Sequence, residues 1–200
     1  MYYIYNDIKV KYYKYGNKNK VLLILPGWGN TSKTFYNIIN HFKDKYTIYT
    51  IDYPGFGKSP IPEKELTIYN YTDLIINFLK DKKILKKIIK IFPNKEKLQK
   101  KLINYFGSTD YKALPPTMHK TFTNIINEDL TKYLKYIPSE TLLIWGEKDQ
   151  DTPLKDAYKI NNLIKESALI IYPNASHFSY LDYPILTNNI INEFIKEKDH

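Results

Sequence analysis

An aspartate and a histidine follow two apolar runs in the last third of the sequence. Asp149 comes after residues 142–145 (LLIW), a run that ends at Gly146, and His177 comes after residues 168–172 (ALIIY). Runs that are apolar at every position are typical of strands buried in a parallel sheet. Ligand and catalytic groups of open α/β sheets gather just past the carboxyl ends of such strands. We therefore expect these two side chains to meet at one edge of a sheet.

Together the two groups could move a proton. A carboxylate bonded to an imidazole fixes the tautomer of the ring and stabilises its cation, which is the arrangement that a general base needs. Taken singly, Asp149 could be a turn former and His177 a loop histidine bonded to backbone. The matched order and spacing of the two favours the acid–base interpretation, so Asp149 and His177 are the predicted catalytic residues.

A turn with two glycines follows an earlier apolar strand, residues 21–25. Gly27 and Gly29 flank Trp28 there, and glycines let the backbone turn sharply and expose its N–H groups. Such donors suit a developing oxyanion, although an ordinary strand-to-helix turn explains the same residues. The glycines are too sparse for a phosphate-binding or dinucleotide fingerprint. Because cysteine and clusters of metal-ligating residues are also lacking, the sequence predicts no metal and no cofactor.

The composition excludes several classes of function. The chain of 200 residues allows one domain, and a hydrophobic fraction of 43% supports a packed core rather than disorder. The net charge is +9, but all 30 basic residues are lysine, and a chain without arginine is a poor candidate for sequence-specific nucleic-acid binding. A signal-peptide pattern and an apolar run of the ~20 residues that span a membrane are both missing. We expect a cytoplasmic protein with no nucleic-acid or membrane partner.

Strands and helices alternate along most of the sequence. Residues 2–15 have the pattern of a β-hairpin, and the later alternation of apolar runs with helical stripes is typical of βαβ units. Only helical spacing is found between residues 84 and 136, with a lysine-rich stretch that indicates solvated helix faces or, less simply, an acidic partner. The sequence therefore predicts an α/β fold with a mostly parallel sheet flanked by helices. We predict a single domain over residues 1–200, with its core at 1–83 and 137–200 and a helical cap inserted at 84–136.

Four motifs occur in an order that resembles the α/β-hydrolase family, namely LLILPGWGN at residues 22–30, DYPGFGKS at 52–59, LLIWGEKDQDTP at 142–153 and NASHFSYLDYP at 174–184. The helical section looks like the cap of bacterial esterase-like members. This resemblance implies a reduced α/β-hydrolase fold in which Asp149 is the acid and His177 the base of a catalytic triad. It also implies that Trp28, between Gly27 and Gly29, supplies an oxyanion-hole amide, and that the partner is a small-molecule acyl substrate.

The serine nucleophile of that family is missing from the sequence. The family places it in G-x-S-x-G on a tight strand-to-helix turn, but this chain has no Ser, Gly or Cys between Ser59 and Gly107. Of the other candidate serines, Ser32 and Ser59 are better explained as cap or turn residues, and the side chain of Ser176 should point away from the adjacent His177 ring. We infer that a strand–helix–strand block of roughly 30 residues or more is absent. We expect the flanking strands, residues 21–25 and 142–145, to pair directly.

Two functions remain open at this point. The first is a hydrolase of carboxylic esters or similar acyl substrates, impaired by the loss of its nucleophile segment. The second is a non-catalytic pseudoenzyme or binding remnant of a hydrolase. A basic surface binder is a third and weaker reading, because charge alone is weak support for it. The sequence does not indicate the substrate or the oligomeric state.

Overall fold

The computed structural model describes residues 1–84 and 114–196. The chain divides into two compact units, Met1–Asp129 and Leu130–His200. Strands and helices alternate in both units, so the predicted α/β architecture is present. Residues 85–113 of the predicted cap at 84–136 lie outside the described residues. The single domain with a cap insertion therefore stays a prediction.

A four-stranded sheet forms the centre of the first unit. Asn6 and Asp7 make the turn of its predicted hairpin with φ of 44° and 66°, the left-handed conformation that a type I′ turn requires and that Asn and Asp tolerate. The hairpin continues antiparallel into a central strand, which pairs parallel with the last one. The strands, in the spatial order β1-β2-β4-β3, are β1 (Tyr2–Tyr5), β2 (Ile8–Tyr15), β3 (Val21–Ile24) and β4 (Thr47–Ile51).

Helices pack against this sheet. A 3₁₀ turn (Ser32–Phe35), capped by the Thr31 side chain, leads into α1 (Tyr36–Phe42). The helix α2 (Ile68–Asp81) begins with a capping box. The Thr67 hydroxyl accepts the backbone N–H of Asn70, and the Asn70 side chain accepts the backbone N–H of Thr67. The helix α3 (Pro116–Ile126) starts on a proline, which suits the first helical position. The core between sheet and α2 consists of Tyr5, Val10, Tyr12, Tyr49, Ile51, Leu74, Phe78, Leu79 and Ile84.

The second unit is built on two parallel strands. β5 (Thr141–Gly146) pairs in register with β6 (Ser167–Tyr172), so Gly146 stands opposite Tyr172 and the two strands end together. The connection between them contains α5 (Leu154–Leu163), which makes this a βαβ unit. The remaining helices are α4 (Thr131–Leu134), α6 (Ser179–Asp182) and α7 (Pro184–Lys196). Two consecutive strand-to-helix loops therefore lie at the same edge of this sheet.

The expected pairing of residues 21–25 with residues 142–145 is wrong. Within residues 1–84 and 114–196, β3 pairs only with β4, and β5 pairs only with β6. Every residue of β4, which pairs with β2 on one side and with β3 on the other, is buried. The residues of β3 and the first five of β5 are only half-buried. The apolar sequence of these strands indicated burial on both faces, but it carried no information about which strand edges pair.

None of the helices that the structure describes combines the length and the apolarity needed to cross a membrane.

Candidate active site

The structure brings Asp149 and His177 into contact at the carboxyl ends of β5 and β6. The Nδ1 atom of His177 lies 2.9 Å from Oδ2 of Asp149. Each residue belongs to the loop that follows its strand, and the parallel pairing of β5 with β6 places these loops side by side. The Asp149 side chain is 4% exposed, whereas that of His177 is 39% exposed. The carboxylate is therefore shielded, and the imidazole remains open to solvent.

Thr152 and Asp151 complete the environment of the Asp149 carboxylate. The backbone N–H groups of Asp151 and Thr152 each donate to Oδ1 at 2.9 Å, and the Thr152 hydroxyl donates to Oδ2 at 2.7 Å. Burial alone would raise the pKa of Asp149, but the bonds from Thr152 and from His177 outweigh it and lower the pKa. Asp149 is consequently an anion at neutral pH, as a partner for an imidazolium must be.

Sequence reasoning missed Thr152. An Asp whose side chain bonds to backbone N–H groups two and three residues later is a common turn device. The spacing of Asp149 and Thr152 was therefore a usable signal. The indole Nε1 of Trp145 donates to the Thr152 carbonyl at 2.9 Å and fixes the end of this turn.

The Thr152 hydroxyl is not placed to act as a nucleophile for His177. Its Oγ1 lies 3.4 Å from Nδ1 of His177, the ring nitrogen that already faces Asp149. A nucleophile activated by this histidine must meet Nε2, on the other side of the ring. Within the part of the chain that the structure describes, no protein group hydrogen-bonds to Nε2. The three residues thus form an acid–base pair with a hydroxyl supporting the acid.

The loop that carries His177 is fixed to the end of β5 by backbone contacts. Lys148 N–H donates to the Ala175 carbonyl at 2.9 Å. Gly146 lies against the carbonyl oxygens of Ala175 and Ser176, at a distance that excludes a side chain. Asn174 has φ of 59°, a left-handed conformation that Asn adopts more readily than most residues. These contacts set the direction in which the chain enters His177.

Two further carboxylates bond to the same loop. Glu147 Oε2 accepts the N–H of Asn174 at 2.8 Å. Asp182 Oδ2 accepts both the N–H of Ser176 at 2.7 Å and its hydroxyl at 2.8 Å. These bonds lower the pKa of Asp182. The Ser176 hydroxyl is therefore bonded to Asp182 and not to the imidazole, as expected for a serine next to His177 in the sequence.

A metal ion fits this cluster poorly. Ligand atoms of Asp149, Asp151 and His177 lie within 4.8 Å of one another. The oxygens of Asp149, however, already accept bonds from two backbone N–H groups, the Thr152 hydroxyl and His177. A cation would have to displace these donors, so the arrangement suits proton transfer better than metal binding.

The predicted oxyanion residues form a turn in the first unit. Gly27, Trp28 and Gly29 follow β3, and Asn30 N–H closes the turn on the Gly27 carbonyl at 3.1 Å. Gly29 has φ of 76°, which favours glycine. The Trp28 ring packs against Phe56, with ring centroids 4.8 Å apart. Among the described residues the Trp28 N–H meets no acceptor; its role in an oxyanion hole stays a prediction.

The serines of the first unit are structural. Ser32 is buried and donates its hydroxyl to Asp52 Oδ1 at 2.9 Å. The Ser59 hydroxyl donates to the Asp52 carbonyl at 2.6 Å and accepts the N–H of Lys11 at 2.8 Å. Both hydroxyls are therefore used by the fold, although Ser32 is not the helix cap that the sequence predicted, because Thr31 takes that position.

Sequence comparison identifies similar proteins over most of the chain. A family model described as alpha/beta hydrolase fold matches residues 20–108. The pimeloyl-[acyl-carrier protein] methyl ester esterase of Wigglesworthia glossinidia brevipalpis is 26% identical over 249 residues, covering 91% of this chain and 96% of the relative. The AB hydrolase superfamily protein YisY of Bacillus subtilis (strain 168) is 28% identical over 153 residues, covering 76% of this chain and 56% of the relative.

Solved structures with the same fold agree with this result. The N-acyl homoserine lactone degrading enzyme Est816 superimposes with a TM-score of 0.76 at 14% identity, covering 97% of this chain and 100% of that protein. A bromoperoxidase from Bacillus anthracis also gives a TM-score of 0.76, at 15% identity, covering 94% of this chain and 96% of that protein. At such low identity the likeness shows the fold alone.

Proposed function

Because the chain belongs to the α/β-hydrolase fold family, we propose that it derives from a hydrolase of carboxylic esters or similar small acyl substrates and lacks the serine nucleophile of that reaction. The observation that carries this proposal is the 2.9 Å contact between His177 Nδ1 and Asp149 Oδ2. This pair is the acid and base of a catalytic triad without its third member.

The chemistry of the pair follows from its geometry. With Nδ1 bonded to the carboxylate, the His177 tautomer that carries its proton on Nδ1 is favoured, and Nε2 is left to accept a proton. Asp149 stays ionised at neutral pH, because its hydrogen bonds lower its pKa. A water molecule or a substrate hydroxyl at Nε2 would therefore meet a general base with a fixed orientation.

Two observations support the loss of the nucleophile. The glycines and serine of a nucleophile elbow are missing between Ser59 and Gly107, where family order requires them. The alignment with the Wigglesworthia relative spans 249 positions, of which 91% of a 200-residue chain supplies about 182. About 67 positions of that alignment thus have no counterpart here, more than the roughly 30 residues of a strand–helix–strand block.

We expect a hydrolase without its serine nucleophile to keep only a small part of the rate acceleration of an intact catalytic triad. Removal of one triad member from an otherwise intact enzyme leaves about 10³–10⁴-fold acceleration over water, which comes from oxyanion stabilisation and substrate positioning. Residual ester hydrolysis here would use water activated by His177. The names of the curated relatives make the methyl ester of a pimeloyl group on acyl-carrier protein the first natural substrate to test.

Active-site labelling tests both parts of the proposal. We expect no adduct between the purified protein and a fluorophosphonate probe, because no serine is activated, and slow p-nitrophenyl ester hydrolysis that is lost in His177→Ala and in Asp149→Ala. His41→Ala is the matched control for hydrolysis by a surface imidazole, because His41 is exposed on α1. An adduct on any serine would overturn the loss of the nucleophile.

The alternative function is that of a non-catalytic pseudoenzyme or binding remnant. The absence of the nucleophile-elbow glycines and serine also favours this alternative, because a protein that keeps a general base but lacks a nucleophile need not catalyse hydrolysis. Hydrolysis by the unmodified chain that is no faster than in His177→Ala would establish this alternative. The coding DNA around codon 84, together with the intact mass of the expressed protein, would show whether cells make this short form.

A further inference from the structure

The loop between β6 and α6 is held by a carboxylate that takes no part in the acid–base pair. We propose that Asp182 is a positioning residue for His177, acting through Ser176. This inference rests on the proposed role of His177 and Asp149 as a proton-transfer pair. It assigns a function to an exposed acid that does not contact the imidazole or Asp149.

The contact is made by a single oxygen. Oδ2 of Asp182 accepts the backbone N–H of Ser176 at 2.7 Å and the Ser176 hydroxyl at 2.8 Å. Ser176 immediately precedes His177, so these two bonds fix the orientation of the peptide from which the histidine side chain projects. Bonds to an ionised acceptor are shorter and stronger than those between neutral groups, and the 2.7 Å bond from the Ser176 N–H is as short as that class of bond.

The two bonds from Ser176 to Asp182 close a short loop that contains His177. Asp182 is the last residue of α6. Its backbone N–H donates to the Phe178 carbonyl at 3.2 Å. The segment from Ser176 to Asp182 is therefore joined at both ends, with His177 inside it. Phe178, the next residue, packs its ring edge-to-face on the imidazole with centroids 5.0 Å apart. Rotation of the peptide at Ser176 would move the imidazole out of line with Asp149.

Glu147 acts at a different point of the same loop. It accepts the N–H of Asn174, three residues before His177, and the intervening Ala175 carbonyl is already bonded to Lys148 N–H. The part of the loop before Ser176 is thus fixed without Asp182. In the described part of the chain, Asp182 is the acceptor that fixes the residue next to the histidine.

The Nδ1 proton of His177 reports this positioning directly. The chain has 4 histidines, so ¹⁵N-histidine labelling of the full protein gives a simple spectrum, and His177→Ala identifies the signal. We expect a downfield Nδ1–H resonance in the unmodified protein, retained in Asp182→Glu if that longer side chain still reaches Ser176. In Asp182→Ala we expect its exchange with water to accelerate about tenfold, as loss of a charge-assisted bond predicts.

Matched variants separate positioning from charge and from folding. Glu193→Ala removes an exposed acid of α7 that bonds to Lys196, and we expect no change in the resonance. Ser176→Ala removes only the hydroxyl bond, so we expect an intermediate acceleration, and it serves as the folded variant if Asp182→Ala does not fold. Circular dichroism spectra and urea midpoints identify any variant that is unfolded.

The outcomes distinguish this inference from the proposed function. If Asp149→Ala abolishes the resonance but neither Asp182→Ala nor Ser176→Ala changes its exchange, Asp182 has no positioning role and the acid–base pair stands. If Asp149→Ala leaves the resonance unchanged, or if the unmodified protein shows no such resonance, the pair itself is absent and both proposals fail. Acceleration in Glu193→Ala equal to that in Asp182→Ala would reduce the effect to net charge and overturn the positioning role.

Discussion

Gly146 lies so close to the backbone carbonyl of Ser176 that a Cβ atom would have no room between them. A Cβ on Gly146 would also stand 2.6 Å from the Ala175 carbonyl oxygen. Because both obstacles are backbone, relief requires a shift of the whole loop that carries His177. We expect Gly146→Ala to lower the free energy of unfolding by about 1–3 kcal/mol, the usual cost of overpacking. Urea denaturation measures this change.

Gly27→Ala is the control for that substitution. A Cβ on Gly27 would meet only the Asn30 side chain, at 3.8 Å, and the φ of Gly27 is not in the left-handed region. Its free energy of unfolding should change by less than about 0.5 kcal/mol. Equal destabilisation by the two substitutions would contradict the role assigned to the close approach at Gly146.

The Thr152 hydroxyl should contribute measurably to stability. It donates to Asp149 Oδ2, and Thr152→Val removes this bond while it keeps the shape of the side chain. We expect a loss of about 1.5–3 kcal/mol in the free energy of unfolding at pH 7, because the acceptor is ionised. Thr152→Ser keeps the hydroxyl and should lose less than half as much. A Val variant as stable as the unmodified protein would show that the bond has no net value.

The difference between Thr152→Val and the unmodified protein should depend on pH. The pKa of Asp149 is lowered in the folded protein, so its hydrogen bonds stabilise the fold fully above the unfolded-state value of about 3.9. That stabilisation is lost as the pH falls through the lower, folded-state pKa. We expect the difference to be constant from pH 5 to 8 and to shrink below about pH 4. Urea denaturation across this range tests it, and a constant difference down to pH 2 would contradict it.

The buried carboxylate of Asp52 should matter most to the stability of the first unit. Asp52 is 1% exposed and accepts bonds from Ser32 N–H and hydroxyl, the Tyr13 hydroxyl and Lys58 N–H. Asp52→Ala would leave the buried N–H and hydroxyl of Ser32 without an acceptor and would remove the other two bonds, so we expect it to cost at least about 3 kcal/mol in thermal or urea denaturation. Asp44→Ala, at an exposed position, should change stability by less than about 0.5 kcal/mol.

Tyr5 should make the first unit sensitive to alkaline pH. Burial, together with its bond to Asp73 at 3.0 Å, raises the pKa of the Tyr5 hydroxyl to about 12. The neutral phenol therefore stabilises the fold fully below the unfolded-state pKa of about 10, and this contribution is lost as the pH rises toward 12. Urea denaturation should show Tyr5→Phe less stable than the unmodified protein at pH 7, with a smaller difference at pH 11. An equal difference at both values would contradict the raised pKa.

Much of the fold follows from local sequence patterns. The apolar runs locate β3, β5 and β6 to within about a residue, and the pattern of residues 2–15 locates the hairpin. Asp149 and His177 could be chosen as a pair, because successive parallel strands place their following loops at one edge. These inferences need only periodicity, turn chemistry and the rules of parallel sheets.

Other features depend on contacts that no local pattern contains. The inferred absence of a strand–helix–strand block led to the expectation that β3 and β5 pair, but strand edges are selected by the whole arrangement of the chain. The bond from Ser176 to Asp182 depends on the path of α6, and the fit of Gly146 depends on the loop after β6. Such contacts become visible only once the backbone is known.

The carboxylates bonded to the loop before α6 have a consequence for proteolysis. Phe178 and Leu181 are 38% and 42% exposed, so this segment offers a chymotrypsin-like protease suitable side chains. Cleavage, however, requires a stretch of backbone to be drawn out into the cleft of the protease, which the bonds of Ser176 and Asn174 oppose. The peptide bonds around His177 should therefore resist digestion despite their accessibility, and limited cleavage should begin elsewhere in the chain.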